Sequence, residues 1–186
     1  MTCHDAGVSG AKIPLPSRRA VVAALGSAAL LPAGPLLAAA TDPSSEDEHF
    51  MRLAIEEARQ GDFPFGAVIV RDGQLLARGR NLGRTNGDPT AHGEMVAIRR
   101  LLADQGAAAL RGSTLCTSGE PCAMCMGAIL WCRIGRLVFA ASLEQLATKI
   151  DQIMLSSADV AEKTPFVSIS ITGGVLAREA MELFSK

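Results

Sequence analysis

The sequence predicts an α/β fold in three layers, α-β-α, with helices on both faces of a five-stranded mixed sheet. Two observations predict it. Apolar runs with strand character alternate with amphipathic stretches in the order α-β-β-α-β-α-β-α-β-α. Alternation of this kind covers one sheet with helices on both sides. The size and composition agree with it. The chain has 186 residues, 48% hydrophobic and 20% charged, enough to bury a core and unlike a disordered segment.

Each element has its own signal. Glu46 to Gln60 places Phe50, Leu53, Ala54, Ile55 and Ala58 among charges, an amphipathic helix stopped by Gly61-Asp62. Phe65 to Val70 is a β-branched run, Arg71-Asp72-Gly73 a hairpin turn, and Gln74 to Gly79 the returning strand. Asn81 to Pro89 is a polar loop. A helix follows from Thr90 or Ala91 to about Ala103. Ser113 to Thr117 reads as a third strand, Cys122 to Cys132 as a helix, and Arg136 to Ala141 as a fourth strand. Residues 143–163 show no clean period and read as helix plus loop. Phe166 to Thr172 is a fifth strand and Val175 to Phe184 a closing helix.

The first forty residues read as a targeting segment, leaving one domain over residues 41–186. Ser17-Arg18-Arg19 precedes an apolar run from Ala20 to Leu31, followed by Pro32, Gly34, Pro35 and the triplet Ala38-Ala39-Ala40. Basic region, short apolar region and Ala-x-Ala site in that order predict a secretory signal. The run is too short to span a bilayer as a helix. The paired arginines point to the twin-arginine route and so to a periplasmic location. Ser-Arg-Arg-Ala-Val-Val resembles that route's consensus with Val in place of the usual Phe.

Charge and composition restrict the partners. Residues 1–40 contain Lys12, Arg18, Arg19 and Asp5, so without them 15 basic and 18 acidic residues remain, net −3. A slightly acidic chain is a poor match for a polyphosphate. Aromatics are 4% of the chain, with one Trp and no Tyr, which disfavours a stacking platform for single strands. Of the five cysteines, Cys3 lies in the targeting segment. Cys116, in an apolar strand, and Cys132, on a helix, are expected as buried small hydrophobes.

The chemistry sits in two short motifs. His92-Gly93-Glu94 opens one helix, and Pro121-Cys122-Ala123-Met124-Cys125 opens another. A catalytic zinc needs three protein ligands and one open position; His92, Cys122 and Cys125 supply the three. Helix N-termini favour the thiolate form that binds metal. Glu94, two residues from His92, can reach the metal's water without being a ligand. A lone Cys-x-x-Cys would serve equally as a redox pair or half of a structural zinc site. His-x-Glu together with Pro-Cys-x-x-Cys is the signature of zinc-dependent nucleobase deaminases.

From about Phe63 to Ala141 the chain resembles the cytidine deaminase superfamily, with bacterial guanine deaminases and tRNA adenosine deaminases as the nearest branches. Pro64-Phe65-Gly66-Ala67-Val68-Ile69-Val70, Asn86 to Glu94, and Trp131 six residues after Cys125 are similar to the guanine deaminase pattern. Arg133-Ile134-Gly135-Arg136-Leu137-Val138-Phe139 is similar to the tRNA enzymes. The resemblance implies a cytidine deaminase-like fold, one Zn²⁺ per chain, a homodimer, and Glu94 as the acid–base catalyst. It implies Asn81, Phe65 and Trp131 as the residues around the base. Asn81 can also be a strand-end turn residue, and Phe65 and Trp131 can be core.

Gly119 departs from the guanine deaminase pattern, which has Cys there, and the guanine-reading acid has no counterpart; Asp151 is the nearest acid. The expected function is hydrolytic deamination of a small amino-purine or related heterocycle, guanine to xanthine and ammonia above all. A tRNA adenosine deaminase is the alternative, and an inactive zinc-stabilised binding domain a further one. The expected partner is a nucleobase or nucleoside, with no nucleic acid and no membrane.

Overall fold

The computed structural model describes residues 44–185. The targeting segment read at residues 1–40 lies outside them. Helix α1 (Ser45–Arg59) begins in a capping box. Ser44 Oγ accepts from Asp47 N–H at 3.1 Å, and Asp47 Oδ2 accepts from Ser44 N–H at 3.1 Å. Its apolar face buries Phe50, Met51, Ala54, Ile55 and Ala58.

Strands β1 (Gly66–Arg71) and β2 (Gln74–Arg80) form a hairpin. Asp72 and Gly73 both take positive φ, 51° and 71°, as a turn matched to right-handed strand twist requires. Helix α2 (Gly93–Gln105), β3 (Thr114–Gly119), α3 (Ala123–Trp131) and β4 (Arg136–Ala141) follow. The segment without a clear period resolves into α4 (Leu143–Ala147), a connection and α5 (Ser157–Glu162). The chain closes with β5 (Ser170–Thr172), α6 (Ala177–Met181) and a 3-10 turn over Glu182–Phe184.

The sheet order is β2-β1-β3-β4-β5. β1 is antiparallel to β2 and β3; β3, β4 and β5 are parallel. The mixed sheet is as expected. Side chains alternate across β1, so Val68 and Val70 join Phe50, Met51, Cys116 and Val138 in one core. Ala67 and Ile69 join Ile98, Leu101, Leu115, Met126 and Ile129 in the other. Helices α1 and α6 cover the first face; α2 and α3 cover the second.

One close approach fixes where α2 sits. A Cβ at Gly79 of β2 would stand 2.2 Å from the Gly93 carbonyl and 2.4 Å from Ala97 N. A Cβ at Gly93 would stand 3.0 Å from the Phe65 carbonyl. Two glycines therefore let the start of α2 rest directly on sheet backbone.

Two element starts and the burial of one cysteine differ from expectation. β5 begins at Ser170 rather than Phe166. The parallel ladder opens with Arg136 opposite Ser170, and the residues before Arg136 are the turn leaving α3, so 166–169 have nothing to pair with. The last helix begins at Ala177 rather than Val175, because Gly174 (φ 86°) and Leu176 (φ 55°) are left-handed and cannot start a right-handed helix. Cys132 is half-buried, whereas Cys116 is fully buried; both are free thiols. Burial pushes the Cys116 thiol up to about 12.

Candidate active site

Two helix starts face each other. His92 is the N-cap of α2 (φ −65°, ψ 160°) and Cys122 the N-cap of α3 (φ −63°, ψ 166°). A capping side chain would normally accept a bond from its own helix, and neither does so here. Instead Cys122 Sγ lies 3.7 Å from His92 Nδ1, and Cys125 Sγ lies 3.6 Å from the same atom. Their ligand atoms all fall within 4.8 Å of one another. Tetrahedral zinc, with bonds of about 2.3 Å to sulfur and 2.0–2.1 Å to nitrogen, sets such pairs about 3.6 Å apart. The donor set and its spacing fit zinc.

The electrostatics agree. The Cys125 thiol hydrogen-bonds Cys122 and, with help from His92, holds the Cys122 thiol down at about 4 against the effect of burial. Cys125 is pushed up by the same contact and by burial. His92 is raised, chiefly by its bond to Cys122. One thiolate is thus in place beside an imidazole, and binding a cation there releases protons.

Glu94 lies in the first turn of α2, buried and 4% exposed. Desolvation is the largest influence on its carboxyl and raises it above the usual range. Glu94, His92, Cys122, Phe65, Glu120 and Gln152 line a cavity of about 50 Å³. His92 also borders a second cavity of about 410 Å³, lined by Phe63, Asn81, Gly83, Arg84 and Pro89. A cavity of about 140 Å³ beside Asp47 and Arg136 shares no residue with the cluster.

The expected base-binding residues separate. Phe65 lines the inner cavity, its ring edge-on to Phe184 with centroids 5.5 Å apart. Gly119 makes room for that ring: a Cβ there would stand 2.9 Å from Phe65 Cε1, which gives this departure from the guanine deaminase pattern a packing reason. Asn81 is buried at the end of β2 and faces the outer cavity. Its Oδ1 accepts from Gly83 N–H at 3.1 Å, so the turn role and the cavity position coexist.

Trp131 does not line either cavity within the chain. It is 75% exposed and stacks on Phe166 at 4.7 Å, because it shares with exposed Met124 the side of α3 opposite the buried Cys125, Met126, Ile129 and Leu130. Asp151 is exposed, and its neighbour Gln152 reaches the cavity instead. Sequence reasoning passed over Glu120 and Gln152. Glu120 carries a signal, an acid ending an apolar strand just before Pro121; Gln152, in a stretch without period, carries none.

Residues 44–141 match the cytidine and deoxycytidylate deaminase zinc-binding region. The chain belongs to that family. Its fold is shared with a solved tRNA:A34 deaminase, at a TM-score of 0.63 and 33% identity, covering 73% of this chain and 98% of that one. It is 46% identical over 99 residues to a guanine deaminase of Bacillus subtilis, spanning 50% of this chain and 64% of the relative. A tRNA-specific adenosine deaminase of Bacillus subtilis is 40% identical over 101 residues, 52% of this chain and 63% of the relative. The chain thus spans under two thirds of these two curated relatives. Zn²⁺ is the deaminase family's metal, and His92, Cys122 and Cys125 are the cluster that fits it.

Proposed function

We propose that this chain is a zinc-dependent hydrolytic deaminase of a small amino-purine or related amino-heterocycle, with guanine the first substrate to test. The observation that carries this reading is a buried, desolvated Glu94 on the wall of the cavity it shares with His92 and Cys122. A purely structural zinc site has no use for such an acid. Zinc, when bound by His92, Cys122 and Cys125, lowers the pKa of water and so makes it a nucleophile at neutral pH. Glu94 takes one proton from the attacking water and gives it to the ring nitrogen. It then carries the proton of the new hydroxyl to the amine, so that the C–N bond breaks, ammonia leaves and a carbonyl remains. Phe65 packs against the ring and Asn81 hydrogen-bonds its edge from the outer cavity, the roles their positions support.

A small substrate is favoured by the charges around the opening. In the loop from Asn81 to Pro89, Arg84 sits over the Phe63 ring at 4.7 Å and Asp88 pairs with Arg99 at 3.1 Å. That is no track for a phosphate backbone. The second reading, tRNA adenosine deamination, is favoured by the likeness to the tRNA:A34 deaminase along nearly that chain's whole length. A panel of free bases, nucleosides and an anticodon stem-loop, assayed for ammonia at two salt concentrations, separates the two. Turnover of a free base with a shallow salt dependence supports the first. Turnover of the stem-loop alone, with a steep one, overturns it.

Assembly and location belong to the same proposal. The chain pairs as a homodimer, and exposed Met124 and Trp131 on α3 are the apolar surface that a second copy would cover. Residues 1–40 direct export by the twin-arginine route, which moves folded proteins and so delivers a filled metal site to the periplasm. Arg18→Lys with Arg19→Lys should retain the protein in the cytoplasm; an unchanged periplasmic yield rejects the route.

A further inference from the structure

Residues 142–162 bring two short helices and their connection to the edge of the inner cavity. Along the connection the usual pattern is inverted. Ile153, Met154 and Leu155 are exposed, while Gln152 turns inward to the cavity. Helices of five and six residues have little stability of their own, so something must hold this wall in place.

The holding group is Glu120. It is 8% exposed, at the end of β3, and its own N–H donates to the Ala141 carbonyl at 2.7 Å. Its Oε2 accepts from Leu143 N–H at 3.0 Å, and its Oε1 accepts from Ser157 N–H at 2.8 Å. Leu143 and Ser157 are the first residues of α4 and α5. One carboxylate therefore satisfies a free donor at the start of each helix. The local caps are already supplied by Ser142 and Ser156, which accept from Gln145 and Asp159. Glu120 reaches in from 23 and 37 residues away. The Ser157 hydroxyl is buried without a hydrogen-bond partner, so its backbone N–H is what fastens that end.

We infer that Glu120 is a positioning residue: it clasps α4 and α5 to the end of β3 and thereby sets Gln152 as the wall that meets the substrate's ring edge. A glutamine amide offers two donors and an acceptor, so it pairs with an edge that presents both kinds of group, where a carboxylate would take donors only. The substrate part of this inference rests on the deaminase reading; the clasp does not.

The test uses the zinc-loaded full chain, with hydrogen exchange measured in the absence of substrate. Glu120→Gln leaves one acceptor oxygen and sets a donating amide NH2 against one of the two N–H groups. Ser157→Pro removes one donor and leaves Glu120 intact. Proline is tolerated at a first helical position, and Ser156, at φ −67° and ψ 157°, already has the conformation that precedes proline. In each variant, exchange across 143–157 should rise about tenfold or more, while β1, β3 and α2 are unchanged and zinc stays bound. On the best substrate, Glu120→Gln and Gln152→Ala should each raise KM about tenfold with kcat within about threefold. The double variant should be no worse than the worse single one, since both remove the same wall. Unchanged exchange over 143–157 in both Glu120→Gln and Ser157→Pro overturns the clasp, and multiplied KM effects overturn its link to Gln152. If Glu120→Gln fails to fold, Ser157→Pro decides. A wild-type chain that deaminates nothing sinks the functional reading while the exchange result still stands.

Discussion

The seam between β2 and α2 is a backbone-to-backbone contact with no room for a side chain, and Gly79→Ala tests it. The added Cβ would lie 2.2 Å from the Gly93 carbonyl, 2.4 Å from Ala97 N and 2.9 Å from Ala97 Cα. All three are backbone atoms, so no side chain can swing aside. Ordinary contact begins at 3.4 Å, so the helix must withdraw by about 1.2 Å, the difference from 2.2 Å. Gly93 lies between His92 and Glu94, so a metal ligand and the acid–base residue move with it, while Cys122 and Cys125 on α3 stay. Overpacking of this kind costs about 1–3 kcal/mol, roughly 3–9 °C of Tm for a domain of this size. A misplacement of about 1 Å costs about 10² in rate. Gly127→Ala is the control for contacts within one chain: its Cβ meets nothing there within 4 Å, and on a helix it should be neutral or slightly stabilising. Because it lies on the α3 face with Met124 and Trp131, the oligomeric state of each variant is measured alongside. Thermal melting, metal content and kcat/KM are measured on both variants. A Gly79→Ala protein that matches Gly127→Ala in Tm and turnover would refute the argument from contact distance.

Three further outcomes are expected. Glu94→Gln keeps the shape but cannot move protons; zinc should stay bound while kcat falls by about 10² or more, and turnover within a few fold of wild type sinks the acid–base role. Cys122→Ala should lose metal and activity together, because two remaining ligands do not hold zinc; full metal content would show the ligand set to be wrong. Arg136→Met strands the Asp47 carboxylate, which is 4% exposed, and should cost about 3 kcal/mol at pH 7 by urea denaturation. The Arg136 hydrogen bond is the main reason that carboxyl lies below 3.8. Its contribution is therefore complete above pH 3.8 and lost as pH falls below it, so wild type and variant should converge in acid; a constant gap down to pH 2 contradicts the assignment.

What could be read from the sequence followed the strength of local signals. The hairpin was legible because Asp72-Gly73 is the pair such a turn needs, and β1 because a β-branched run is buried on both faces. The ligand set was legible because His92 and the Cys122–Cys125 pair keep fixed offsets within single helix starts. β5 and α6 were misjudged at their edges, since neither a partner strand's starting point nor a left-handed Leu176 leaves a trace in hydrophobic pattern. Trp131 was placed by family pattern at the base, whereas within this chain the end of α3 points it to solvent. Glu120 and Gln152 meet only through long-range folding: one closes a strand, the other sits 32 residues on in a stretch without period.

The geometry of His92 and Cys122 also has a consequence for chain entropy. The two ligands are 30 residues apart, and the segment between them contains all of α2 and β3. A metal joining them acts as a cross-link that closes a loop of that length in any partly unfolded chain. By the loop-closure relation for disulfides, such a link removes about 3–4 kcal/mol of disorder from the unfolded ensemble. The ion that serves the reaction would then also be a staple, with its effect concentrated on the α2–α3 layer. The α1–α6 layer contributes no ligand, and feels the staple only through β3, whose Cys116 belongs to its core.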